Sequence, residues 1–205
     1  MKIFLIGGGE ISRRETIKID KEIIKASGGK NASVLFFPTA AGESDGYIKG
    51  FSKYYSSLGC AKIESIKLNQ ESLKEAREKI FRASIIYLGG GSTELLIDVF
   101  KKKKIIPALK EFLEKGGVLV GMSAGAVALG EVSILSEIEE DLKFGKGFGF
   151  LPNFIFLPHY EKKYKGKVFL IKKRFPQKTV FLLPEKTAVY IKGKSKKYFG
   201  RVSKK

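Results

Sequence analysis

One pentapeptide of this 205-residue chain has the residue types and spacing of a nucleophile turn: Gly121-Met122-Ser123-Ala124-Gly125. It follows the hydrophobic run 117–120 and leads into Ala126-Val127-Ala128-Leu129, a small-residue helix pattern. A serine between two glycines at a strand-to-helix junction can turn sharply enough to lift its hydroxyl above a sheet edge. The N–H of Ala124 then points to where an oxyanion would form. The simpler alternative is a Ser123 that only caps the following helix.

A serine hydroxyl is a weak nucleophile near neutral pH and needs a positioned base. The chain holds one histidine, His159, at the end of the apolar run Phe154-Ile155-Phe156-Leu157-Pro158. An imidazole in that role is oriented by an acid. Glu185, just beyond another apolar run in Leu183-Pro184-Glu185-Lys186, is favoured by its place at a strand end. Glu137, Glu139, Glu140 and Asp141 form the competing cluster, which reads equally as a solvated acidic turn.

Positioning such residues requires strands that end together. Short β-rich apolar runs at 2–6, 33–37, 61–66, 84–88 and 118–121 alternate with helical patterns at 20–26, 45–58, 71–81, 93–100 and 107–115. This repeat predicts an α/β fold with a mostly parallel sheet and helices on both faces. Further strands are expected at 154–157, 179–183, 188–192 and 197–202, the last two forming a C-terminal β-hairpin through Gly193-Lys194-Ser195. No composition break asks for more than one domain over residues 1–205.

Two more glycine turns follow strands. Gly7-Gly8-Gly9 resembles the start of a dinucleotide fingerprint but has Ser12 where the third glycine belongs. We therefore read it as a tight turn whose backbone can approach something closely, and expect no cofactor. Gly89-Gly90-Gly91-Ser92-Thr93 opens a helix and can present N–H groups to an anion or oxyanion, without the Gly-Lys-Ser/Thr of a P-loop.

Gly-Gly-Gly-Ser-Thr, Gly-Met-Ser-Ala-Gly-Ala, Pro-His-Tyr and Leu-Pro-Glu, in this order and spacing, resemble the peptidase E family of aspartyl dipeptidases, which includes cyanophycinases. The likeness runs from the first strand through Phe37-Pro38-Thr39-Ala40-Ala41 to the terminal hairpin. It implies a flavodoxin-like sheet related to class I glutamine amidotransferases and a serine peptidase acting on short peptides, especially dipeptides with an N-terminal aspartyl residue. It also implies a Ser-His-Glu triad at Ser123, His159 and Glu185, with an oxyanion hole from the turn at Gly90 and Gly91 plus Ala124. Ser92 and Lys186 stand where the family commonly carries Asn and Gly. Cys60 lies off the elbow, so amidotransferase-type thiol chemistry is not expected.

Composition narrows the rivals. With 39 basic and 21 acidic residues the net charge is +18, which admits a polyanion or an acidic substrate as partner. The excess is nearly all lysine rather than base-reading arginine, and we expect a lysine-biased surface without specific nucleic-acid binding. Lys162, Lys163, Lys165 and Arg174, downstream of His159, are candidates for reading an acidic side chain, or simply a solvated helix face. One histidine and one cysteine leave no expected metal site. The glycine-broken stretch 118–130 falls short of the ~20 apolar residues of a membrane span, and the N-terminus lacks a signal-peptide core. The expected setting is a cytoplasmic monomer or homodimer with a reduced Cys60. The alternatives are another serine hydrolase, such as an esterase or acyltransferase, and a non-catalytic α/β protein that binds a polyanion. An α/β-hydrolase places its acid before its histidine, opposite to the order here.

Overall fold

The structure, a computed structural model, describes residues 1–29, 31–138 and 141–205, with 137, 138 and 141 described by backbone alone. Apolar runs become strands and amphipathic runs become the helices between them. The first half contains β1 (Lys2–Ile6), α1 (Ile17–Ala26), β2 (Ser33–Phe37), α2 (Asp45–Ser57), β3 (Lys62–Ser65), α3 (Leu73–Arg82) and β4 (Ile85–Leu88). Next come α4 (Thr93–Lys102), α5 (Ile106–Glu114), β5 (Val118–Met122), α6 (Ala124–Ala128) and the hairpin of β6 (Val132–Ile138) and β7 (Asp141–Lys146). The chain closes with β8 (Phe154–Pro158), α7 (Lys165–Arg174), β9 (Thr179–Leu183), β10 (Ala188–Lys192), β11 (Ser195–Phe199) and β12 (Ser203–Lys204).

The main sheet runs β11-β10-β1-β5-β4-β2-β3. Its five strands from β1 to β3 are parallel, and β10 and β11 add the expected hairpin as an antiparallel edge. Side-chain alternation divides the core. Phe4 and Ile6 pack with Ile19, Ile23, Phe51 and Tyr55 of α1 and α2 on one face. Ile3 and Leu5 share the other face with α3, α4, α5 and α6. Both faces are thus covered by helices, as a parallel sheet requires.

Beyond β5 the structure places strands that the sequence assigned to no particular sheet. The strands at 154–158 and 179–183 do not join the main sheet. They pair in parallel across α7 and, with β12, make a second sheet ordered β12-β9-β8. The predicted strand 197–202 is split at Gly200, whose φ of 75° lets the chain leave β11 and pair β12 with β9. The last strand pair therefore stitches the two sheets together.

Candidate active site

Both glycines of the pentapeptide are required by close backbone packing. A Cβ on Gly121 would lie 2.5 Å from the Gly125 carbonyl oxygen, and one on Gly125 would overlap the Leu88 carbonyl of β4. This crowding lets β5 turn directly into α6 at Ser123, which adopts φ 51° and ψ −113°. A non-glycine residue rarely takes a positive φ, and such strain concentrates at functional sites. The Ser123 side chain makes no cap bond to α6, so the capping alternative fails.

Ser123 Oγ lies 2.7 Å from His159 Nε2, and His159 Nδ1 is hydrogen-bonded to Glu185 Oε1. Three side chains from the ends of β5, β8 and β9 are thereby joined in a line. The first glycine turn holds them there. Consecutive carbonyls of Ile6, Gly7 and Gly8 accept from the N–H groups of Ser123 (2.9 Å), His159 (3.0 Å) and Lys186 (3.0 Å). A Cβ on Gly8 would stand 2.6 Å from His159 Cε1 and overlap the Glu185 carboxylate. What the Gly7-Gly8-Gly9 backbone approaches so closely is this side-chain pair.

The second glycine turn faces the serine. A Cβ on Gly90 would sit 3.3 Å from Ser123 Cβ, while Gly91, at φ 134°, packs against the Ala40 carbonyl. The Gly90 N–H donates to the Tyr47 hydroxyl at 3.4 Å, and burial pushes the Tyr47 phenol above its ordinary range. Ala124 contributes the first N–H of α6.

The positions that depart from the family pattern have structural roles. Ser92 Oγ caps α4 by accepting from the Leu95 N–H at 3.2 Å. Lys186 takes the left-handed φ of 62° that glycine would adopt without cost, and its ammonium pairs with Glu15 at 2.7 Å. Through that contact Lys186 holds the Glu15 carboxyl below the usual carboxylate range.

Ser123 and His159 open into a cleft of about 800 Å³ whose cations are Arg14 and Lys53, neither singled out by the sequence. Lys162, Lys163, Lys165 and Arg174 do not line it. They follow β8 on a short turn and on α7, which buries Val168 and Ile171 against the second sheet. Of the competing acids, Glu139 and Glu140 lie outside the described residues, and Glu137 and Asp141 occupy paired positions of the β6–β7 hairpin. Cys60 is buried, and burial pushes its thiol up to about 11, which leaves it an inert core residue. Among the described residues no helix is long and apolar enough to cross a membrane.

A hydroxyl, an imidazole and a carboxylate linked in this order, beside backbone donors at two loop ends, can move a proton off the hydroxyl while an oxyanion is held. Relatives carry matching names. The chain is 29% identical over 161 residues to the uncharacterized peptidase YgaJ of Bacillus subtilis, covering 78% of this chain and 69% of that one. It is 27% identical over 187 residues to peptidase E of Actinobacillus pleuropneumoniae serotype 5b, covering 83% and 76%. A crystal structure of a peptidase from an acI-B1 Actinobacterium shares the fold with a TM-score of 0.77 at 23% identity, covering 98% of this chain and 87% of that one. The model of peptidase family S51 matches residues 3–199, nearly the whole sequence. The chain therefore belongs to peptidase family S51 and is a serine peptidase.

Proposed function

We propose that Ser123, His159 and Glu185 form a catalytic triad that hydrolyses short peptides, with dipeptides bearing an N-terminal aspartyl residue as the preferred class. The observation that carries this reading is the 2.7 Å contact between Ser123 Oγ and the imidazole, made from a serine at a strained elbow. Ser123 Oγ attacks the peptide carbonyl as His159 Nε2 takes its proton. The carbonyl oxygen becomes an oxyanion held by the N–H groups of Ala124 and of the turn at Gly90 and Gly91. The Tyr47 hydroxyl, a long 3.4 Å acceptor for Gly90, yields its place to the stronger, charged acceptor. The C–N bond then breaks, His159 returns the proton to the leaving amine, and an acyl-Ser123 remains. Water then attacks the acyl carbon as His159 takes its proton, the acyl–Oγ bond breaks to release the acid, and His159 returns that proton to Ser123 Oγ. Glu185 orients the imidazole and stabilises its protonated form without itself taking the proton. We place this reaction in the cytoplasm, where the single buried thiol of Cys60 stays reduced.

The test is a fluorophosphonate probe together with a panel of Asp-Leu, isoaspartyl-Leu and neutral dipeptides. The probe should label Ser123, and Ser123→Ala should stay folded while losing turnover at least ~10³-fold. Turnover retained in the alanine variant would overturn the assignment.

A further inference from the structure

The cleft that opens on Ser123 and His159 carries a guanidinium for which the hydrolytic steps have no use. Arg14 lies in the turn before α1 with φ 56°, in the left-handed region. Its N–H donates to the Ile11 carbonyl at 2.9 Å, and its own carbonyl accepts from Ile17 at 3.2 Å. Such a conformation persists in a bulky residue only when the surroundings impose it.

The side chain is also held. Its guanidinium carbon stands 5.9 Å from the centre of the Tyr54 ring, within cation–π range, and Nη2 donates to Ser57 Oγ at 3.3 Å. Ser57 gives its own proton to the Tyr54 carbonyl at 2.6 Å, so its lone pairs are what Arg14 meets. Tyr54 is anchored in turn, its hydroxyl donating at 2.7 Å to Asp20, a buried carboxylate that also accepts from Thr16 (2.8 Å) and Tyr55 (2.8 Å). Lys53, next to Tyr54 on α2, lines the same cleft. Among the described residues neither Arg14 nor Lys53 has an ion-pair partner. The nearby Glu10 spends its Oε1 on the Ser12 hydroxyl (3.0 Å) and N–H (3.3 Å).

We propose that Arg14, assisted by Lys53, is the specificity-determining cation that reads a carboxylate of the substrate within this cleft. A guanidinium pre-aimed on an aromatic platform, with no carboxylate of its own, is built to receive one in paired hydrogen bonds. Asp20 is then a positioning residue, acting through Tyr54. The inference rests on the peptidase reading of Ser123, His159 and Glu185. The carboxylate has two possible sources, the side chain of an acidic first residue and the C-terminus of a short peptide.

The test compares Asp-Leu with Asn-Leu, and Asp-Leu with Asp-Leu amide. Turnover is measured on wild-type protein, and calorimetric binding on the Ser123→Ala protein with and without Arg14→Asn. Asparagine is chosen because it tolerates the left-handed backbone while removing the charge. In one of the two comparisons the protein should prefer the charged partner by about 10- to 100-fold, the range of a hydrogen bond to a charged group. Arg14→Asn should abolish that preference and leave the weaker substrate unchanged, Lys53→Gln should reduce it, and Lys194→Gln, an equal charge loss in the distant β10–β11 turn, should do nothing. Equal handling of charged and neutral partners by the unaltered cleft would overturn the inference, as would a parallel loss on all substrates in Arg14→Asn. Failure of the peptidase reading looks different: no turnover and no probe labelling, while the calorimetric preference still decides the role of Arg14.

Discussion

Three consecutive carbonyls, of Ile6, Gly7 and Gly8, hold the backbone of Ser123, His159 and Lys186, so placement of the proposed triad depends on a turn that bears none of its side chains. That dependence can be tested at Gly8. A methyl group there meets the far end of Glu185 and the edge of the His159 ring rather than buried backbone. Gly8→Ala should therefore cost about 1–3 kcal/mol, the range of an unfavourable backbone conformation, yet lower kcat by about 100-fold or more by pushing Glu185 off the imidazole. Parallel thermal melts and single-turnover assays separate the two effects. A fall in stability large enough to explain the lost activity would count against the positioning argument. Glu185→Gln keeps shape and removes charge. Because this side chain is 51% exposed, the melting temperature should barely move while kcat falls by ~10³-fold or more. An active glutamine variant would leave the imidazole without an essential orienting acid.

At the scale of elements, the cleft wall depends on how α1 is fixed to α2, and a buried carboxylate fixes it. Burial pushes the Asp20 carboxyl above its ordinary range, and the hydroxyls of Tyr54, Thr16 and Tyr55 offset only part of that. Below the unfolded-state value, near 4, Asp20 is protonated in both states and its contribution to stability is fully present. As pH rises through the raised folded value, the unfolded chain releases a proton that the folded chain retains, and stability is lost. The melting temperature of wild type relative to Asp20→Asn should therefore decline as pH rises from about 4. The opposite trend would mean that the three hydroxyl donors outweigh burial. Exposed carboxylates held low by their partners, such as Glu111 beside Lys115 and Arg77, act in the other direction but are common to both proteins and cancel in the difference.

The same scale shows what was legible in the sequence. Ser123, His159 and Glu185 each follow an apolar strand, which marks them as candidates, but β8 and β9 lie in a sheet apart from β5, so their meeting is implied by the family resemblance and not by spacing alone. The second sheet could not. The runs at 154–158 and 179–183 are as apolar as central strands, and nothing in their composition names a partner. The β6–β7 hairpin was hidden because a register shift between Ile134 and Ser136 breaks the period-two alternation that identifies a half-buried strand. Arg14 was obscured among 39 basic residues because its distinction is a backbone angle and a neighbouring ring, neither of which has a sequence pattern.

For the whole molecule the question is what a net charge of +18 does. The run 101–104 is not simply a cationic patch. Lys101 braces the Lys146 carbonyl of β7 at 2.8 Å, and Lys103 braces the Asn69 and Glu71 carbonyls at 3.4 and 3.2 Å. Charges spent on backbone carbonyls are poorly placed to track a phosphate chain. Duplex DNA should therefore bind only at micromolar strength or weaker near ~0.15 M salt, in the non-specific range. A small anion in the cleft is a different case, since the summed field still raises its local concentration. Raising salt from ~0.01 M to ~1 M shortens the screening length from about 30 Å to about 3 Å, which removes the long-range field but not a direct contact to Arg14. The kcat/KM for a net-anionic dipeptide such as Asp-Leu should then fall several-fold, while that for a neutral dipeptide stays within about twofold. The Arg14-dependent preference should survive in part, because the Arg14 contact acts at hydrogen-bond distance, which is no longer than even the ~3 Å screening length. An equal loss for both peptides would show that salt acts on the enzyme rather than on the encounter. Nanomolar DNA binding at ~0.15 M salt, with no peptide turned over, would instead assign the charge to a polyanion.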